Sequence, residues 1–366
     1  MARRGRHGRG PAPAGRGRGR GGRTRRGALG LRLPALTTPL IECHAHVLPD
    51  AALARFPEGA HPRYVTAERR VLSRMLEAQA AAGVTHALVS DSFFMESAAE
   101  ALPSWSPLDR ARLYNDALAA LIARHPGRLF GLGCVDPFAG EAAARELERV
   151  QDELGFVGAL VNPTDASASG ARYLDDPACG PLLAAAAARG RPLFVHPSRE
   201  LPAGRHFDDF VLSLIVGRPT QTAVCAARLI FTGTLDRHPG LPLLLAHGGG
   251  VLPAMAGRLD ATWRAYRPDR WQGPDVLTAA PSSYLRRFHV DTNVWSVPAL
   301  RLLLDVLGPE RLLVGNDQPP VWFPLGESLA LLDQLVLPAA DREAIRWGNA
   351  ARLFGIGAPH AAAAPA

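Results

Sequence analysis

Apolar and polar positions alternate between two periods along residues 40–356. Short apolar runs of strand length occupy Pro39–Cys43, Thr85–Ser90, Leu129–Val135, Val157–Val161, Pro192–His196, Pro242–His247, Arg287–Thr292 and Leu312–Gly315. Between them lie longer alanine- and leucine-rich stretches with helical spacing. These are Ala67–Ala82, Asp109–Arg124, Glu141–Leu154, Pro181–Arg189, Thr220–Arg237, Pro253–Tyr266, Pro298–Leu307 and Glu343–Phe354. Gly83, Gly127, Gly155 and Gly190 each stand between a helical stretch and the next apolar run, where a helix ends most easily. Eight strands and eight helices in strict alternation predict parallel strands joined by right-handed crossovers. The count of eight favours an α/β fold of the (β/α)8 TIM-barrel type over an open doubly wound sheet. A dinucleotide-binding sheet would carry G-x-G-x-x-G after its first strand. That position holds Cys43-His44-Ala45-His46 instead, and no P-loop signature occurs.

The chain has 366 residues and a mass of 39.0 kDa, with 47% hydrophobic and 20% charged residues, which excludes a fibrous repeat or a disulfide-stapled miniature. Its net charge of +7 is unevenly placed. The first 40 residues hold eleven arginines and no acid, so removing those charges leaves the remainder at −4. Residues 1–38 form an arginine- and glycine-rich tail with almost no large apolar side chain, and are expected to be disordered. Such a tail could contact a polyanion such as nucleic acid non-specifically, but it lacks the aromatics that stack on bases. The barrel is expected over residues 39–357, followed by a flexible tail over 358–366. Four dispersed cysteines without a C-x-x-C pair fit a reducing, cytoplasmic setting. No apolar run approaches the roughly 20 residues of a membrane span.

Histidine placement carries the chemistry. His44 and His46 close the first apolar run, His196 the fifth and His247 the sixth, while Asp317 follows the eighth. In a barrel these strand ends meet at the C-terminal face, although 273 positions separate His44 from Asp317. Side chains two apart on a strand point the same way, so two imidazoles at H-x-H spacing can face one cation. A third imidazole and a carboxylate complete a mixed nitrogen and oxygen site with room for water, as a catalytic divalent metal requires. Zinc is the first expectation for such donors, with manganese or iron also compatible. Taken singly, each residue has a plain structural reading as a strand histidine, a turn histidine or a capping aspartate. Their joint placement at one barrel face is what points to a metal.

Several stretches resemble the amidohydrolase superfamily, in the family 2 branch of the aminocarboxymuconate-semialdehyde decarboxylase type. They are IECHAHVLPD, GRLFGLGCVDP, ELGFVGALVNPT, LFVHPS, DRHPGLPLLLAHGGG, FHVDTNVWSVPALRLLLDVLGPERLLVGND, FPLGE and WGNAARLFGI. The resemblance implies one divalent ion held by His44, His46, His196 and Asp317, with His247 acting as general acid or base beside it. It also implies a metal-dependent decarboxylase of a small unsaturated or aromatic carboxylic acid, working as a homodimer. Hydrolysis of a lactone or amide by the same site is the alternative. Departures cluster around the pocket. Glu42 replaces an aspartate at a position that is not a ligand, Ser198 stands where an aromatic is usual, and Gln318 replaces a tyrosine. Arg63 is the candidate for the substrate carboxylate, ahead of Arg69, and Trp295 and Trp322 are candidate pocket walls.

Overall fold

The structure is a computed structural model that describes residues 39–58, 72–91, 93–165, 172–199, 207, 209–267, 270–319 and 324–357. The predicted tails at 1–38 and 358–366, Arg63, Arg69 and Trp322 lie outside the described residues. Eight parallel strands pair in chain order: β1 (Ile41–His46), β2 (His86–Ser90), β3 (Leu129–Cys134), β4 (Gly158–Val161), β5 (Leu193–Val195), β6 (Leu243–Leu245), β7 (Phe288–Asp291) and β8 (Leu312–Leu313). The last strand returns to the first. The Cys43 amide donates to the Val314 carbonyl at 2.8 Å, and Ala45 bridges to Gln318 in parallel sense. The sheet is thus a (β/α)8 TIM barrel.

Local chemistry explains the outer helices. Pro107–Ile122 starts with Pro107 in its first turn and Ser106 as a cap, whose hydroxyl accepts from the Asp109 amide at 3.1 Å. Val297–Leu307 begins the same way, with Ser296 capping Ala299. Gly180–Arg189 ends at Gly190 in the left-handed conformation. The predicted stretch Thr220–Arg237 divides into Arg218–Phe231 and Thr234–Arg237, because the chain turns at Gly233 with φ of 69°. Extra helices appear at Phe94–Ala101 and Leu325–Asp333, in connections too short for their helical spacing to stand out. No helix among the described residues is long and apolar enough to cross a membrane.

Inside the barrel, Ile41, Cys43, Leu88, Leu132, Leu160, Phe194, Leu244 and Leu313 form one buried cluster, with Phe354 and Ile356 packed against it. On neighbouring positions, Ala87, Val89, Ala159, Val161, Leu193 and Val195 belong to clusters beneath the helices. That alternation is the period-2 pattern of strands covered on both faces. Strand β1 breaks it. Its register against β2 shifts between Glu42 and Ala45, so that His44 follows Cys43 on the interior side, with its ring 4.9 Å from that of Phe194.

Tight strand packing depends on Gly158, where a Cβ would lie 2.6 Å from the Pro192 carbonyl oxygen. Gly158→Ala is therefore expected to push β4 from β5 and destabilise the fold by about 1–3 kcal/mol. Thermal unfolding followed by circular dichroism checks this; an unchanged melting temperature would show that the two strands separate freely.

Candidate metal centre

The C-terminal mouth of the barrel gathers all five residues that the sequence marks. His44 and His46 lie within β1. His196 stands one residue beyond β5, His247 in a single turn after β6, and Asp317 in the segment after β8. The strands before His196 and His247 end at Val195 and Leu245, although the His196 amide still donates to the Val161 carbonyl at 3.0 Å. Imidazole rings pack edge to face, with centroids 5.1 Å apart for His44 and His46, 4.9 Å for His44 and His196, and 5.0 Å for His46 and His196.

Asp317 is the meeting point. One of its oxygens lies 2.8 Å from His46 Nε2 and 3.3 Å from His44 Nε2, and the other lies 3.4 Å from His247 Nε2. The donor atoms of His44, His196, His247 and Asp317 all fall within 4.8 Å of one another. His46 is outside that tightest set and joins it through Asp317. For His44 and His196 the inner nitrogen faces the centre because the outer one is engaged. His44 Nδ1 is 2.6 Å from an Asp291 oxygen, and His196 Nδ1 is 3.0 Å from the Pro197 carbonyl. His196 Nε2 is then buried without a hydrogen-bond partner. A lone pair aimed into a polar cluster is what a cation ligand presents, so this donor set fits a divalent ion.

Neighbours set the charge of each group. Burial opposes charge on His44, but the carboxylates of Asp317 and Asp291 overcome it and raise its pKa to about 10. Burial likewise opposes charge on Asp317. Positive charge on His44 and hydrogen bonds from His247, His44 and His46 nonetheless hold Asp317 well below the usual carboxylate range. His196 has no carboxylate on its outer nitrogen. Burial and the charge of His44 and His46 push it well below the ordinary imidazole value. Glu42 is raised to about 8, chiefly by burial and partly offset by the backbone amides of Asn316 and His44.

Two residues support the site in roles that the sequence does not show. Asp291, at the end of β7, accepts from His44 Nδ1, from the Gly248 amide at 2.8 Å and from the Asn293 amide at 3.2 Å, so it ties β1 and the β6 loop to one carboxylate. Glu42 accepts from the amides of His44 and Asn316 and pins β1 to the residue before Asp317. The signal available for Asp291 was its position at the end of the seventh strand. Glu42 was marked only as replacing an aspartate at a position that is not a ligand.

The expected pocket residues fare differently. Ser198 is buried, and its hydroxyl lies 3.3 Å from that of Thr164, while its amide donates to Gln221 at 2.7 Å. This network braces the loop carrying His196. Trp295 is half-buried beyond β7, with Nε1 donating to Asn293 at 2.7 Å.

Residues 41–356 match the model of the amidohydrolase family. Among similar proteins, 2-amino-3-carboxymuconate-6-semialdehyde decarboxylase of Dictyostelium discoideum is 31% identical over 252 residues, 68% of this chain and 67% of that protein. Gamma-resorcylate decarboxylase of Rhodococcus jostii is 34% identical over 263 residues, 68% of this chain and 77% of its own length. In three dimensions the chain is similar to 5-carboxyvanillate decarboxylase of Sphingomonas paucimobilis, with a TM-score of 0.73, 27% identity, and coverage of 88% of this chain and 100% of that one. It is also similar to a dihydroxybenzoic acid decarboxylase of a Polaromonas species solved with manganese and 2-nitroresorcinol, with a TM-score of 0.70, 25% identity, and coverage of 87% and 97%. The motifs, the barrel and these likenesses agree, and the chain belongs to the amidohydrolase family, in the branch of aminocarboxymuconate-semialdehyde decarboxylase.

Proposed function

We propose that this carboxy-lyase removes carbon dioxide non-oxidatively from a small aromatic or unsaturated carboxylic acid, with one divalent metal ion held by His44, His46, His196 and Asp317. The observation that carries the reading is the convergence of donor atoms of His44, His196, His247 and Asp317 within 4.8 Å at the barrel mouth, one of them the unpartnered His196 Nε2, with His46 Nε2 2.8 Å from Asp317. Zinc suits these donors, and the manganese in the Polaromonas relative sets that ion beside it. When bound, the ion supplies positive charge that polarises substrate oxygens and offsets developing negative charge.

The protein's own groups do the rest. Asp291 fixes the His44 ring so that Nε2 faces inward, and the Pro197 carbonyl does the same for His196. His247 and Asp317, 3.4 Å apart, form the proton-handling pair. His247 Nε2 delivers a proton to the carbon that bears the carboxylate, and Asp317 steadies the imidazolium before transfer. The bond to the carboxylate then breaks, its electron pair stays with the ring, and carbon dioxide departs.

Substitution separates these roles. His44→Ala and Asp317→Ala are expected to lose metal and turnover together. His247→Ala should retain the metal while turnover falls about 10²- to 10⁴-fold, the usual worth of a positioned proton donor. Elemental analysis beside carbon dioxide release from carboxyl-labelled acids reads both. Ring opening of lactones or amides without carbon dioxide release would instead make the enzyme a hydrolase.

Asp291→Asn keeps the shape but removes the charge facing His44 Nδ1. Metal affinity is expected to drop about 10- to 100-fold, the typical effect of losing a ligand's outer partner. Equal affinity in a chelator competition would sink this role for Asp291.

A proton sits on His44 in the metal-free site, since its pKa is raised to about 10. Metal binding needs the neutral ring, so uptake should release a proton into weakly buffered solution and tighten as pH rises from 6 to 9. Affinity that does not vary with pH would show that the ion meets an already neutral site.

A further inference from the structure

We infer that the chain carries a second ligand site, a cavity that holds a small zwitterion of the α-amino-acid kind between Arg110 and Asp136. This inference stands apart from the decarboxylase reading above. The cavity has a volume of about 310 Å³, within the roughly 300–1,000 Å³ that small-molecule sites occupy. It lies at the C-terminal face, between the segments that follow β2, β3, β4 and β5. None of the five residues of the metal centre lines it. Met95, Val135 and Phe138 give it apolar walls. Asn162, also in its lining, donates to the His196 carbonyl at 3.1 Å, so the cavity borders the loop that carries His196.

Pairing among the charged groups decides which of them are left for a ligand. Glu96 and Glu100 both meet Arg199, and Asp165 meets Arg172 across the short ladder of Thr164–Asp165 with Arg172–Tyr173. Arg110 and Asp136 stand outside these pairs. Arg110 is fixed by Nε and one Nη, which donate to the Trp105 carbonyl at 3.0 and 2.6 Å, and its other Nη takes no part in that contact. One Asp136 oxygen accepts from the Phe138 amide at 3.0 Å, and the other has no hydrogen-bond partner among the described residues. No ion pair joins Arg110 to Asp136, although both line the same space.

Two opposite charges that share a cavity without closing on each other select a ligand that carries both. Burial raises the Asp136 carboxyl above its usual range, against the Phe138 amide and the charges of Arg172 and Arg110. An ammonium group beside Asp136 favours its charged form. A carboxylate on the same ligand meets the outer edge of the Arg110 guanidinium, with the strength of a charge-assisted hydrogen bond. The two residues stand on different segments, one after β3 and one on the helix Pro107–Ile122, so a zwitterion bridges them whereas a simple amine or acid meets one.

The test is calorimetry on the metal-loaded full chain with L-leucine as the probe, beside isoamylamine and 4-methylpentanoate, which each keep one of its charges. L-leucine should bind saturably, and each analogue about 10- to 100-fold more weakly, the range for a lost charge-assisted hydrogen bond. Arg110→Met should bring L-leucine down to the affinity of isoamylamine, and Asp136→Asn to that of 4-methylpentanoate, with metal content as in the wild type. If Arg110→Met fails to fold, Arg110→Gln carries the comparison. Amino acids also chelate metals, so His44→Ala, or the chelator-treated chain where that variant misfolds, separates the two places. L-leucine should bind there as to the wild type. Loss of binding with the metal would put the amino acid at the metal centre and overturn the inference. Absence of saturable L-leucine binding, or wild-type affinity in both cavity variants, would overturn it equally.

Discussion

Closure of the barrel between its first and last strands is the constraint on which the site depends. The Cys43 amide reaches Val314, the Gln318 amide reaches His44 at 3.2 Å, and Asn316 reaches the Glu42 carboxyl at 2.7 Å. These bonds flank His44 and His46 on one side and Asp317 on the other, so residues far apart in the chain become neighbours. Gly315 makes the seam possible, because a Cβ there would lie 2.7 Å from that of Asp291 and 3.0 Å from that of His44. Burying so many ionisable groups together costs several kcal/mol per ion, which mutual pairing offsets. The pairing is visible in the opposite shifts of His44 upward and Asp317 downward.

Backbone strain is concentrated at the same mouth. Five non-glycine residues among those described have positive φ, and three of them are His247 at 58°, Trp295 at 50° and Asp317 at 60°. Left-handed backbone at such residues costs about 1–3 kcal/mol each and persists only where the surroundings enforce it. Here the enforcement is local. Asp291 holds the amide of Gly248 immediately after His247, and His44 holds the amide of Gln318 immediately after Asp317. An extended conformation would carry both side chains away from the centre. The strain is part of what aims them inward.

Much of this was legible in the sequence, because strand ends in a barrel converge whatever separates them in the chain. The eight apolar runs became the eight strands, and the glycines before them adopt the left-handed turn their position suggested. The metal candidates were legible for the same reason. What stayed hidden depends on register and angle. The shift in β1 that turns both Cys43 and His44 inward leaves no trace in composition. Asp291 reads as one more aspartate until the distance to His44 is known. Ser198 follows the His196-Pro197 pair, and its bonds to Thr164 and Gln221 could not be read from that position.

The partners of His44 and His196 separate a cation site from a self-contained polar network. Were this cluster built only to satisfy itself, every inner nitrogen would find a donor or acceptor within the protein. Instead a carbonyl fixes the outer nitrogen of His196, burial keeps the ring neutral, and the inner nitrogen is left with no internal bond. His44 is buried as well, but the charge of Asp317 and the carboxylate of Asp291 on its outer nitrogen move its pKa in the opposite direction, to about 10. In the absence of metal a proton on His44 partly balances the charge of Asp317. A divalent ion held here would displace that proton and could also take the lone pair of His196, which the proton on His44 does not reach. The geometry therefore leaves an unmet demand for positive charge, and it lies at the one place where strands β1, β5 and β8 direct their donors.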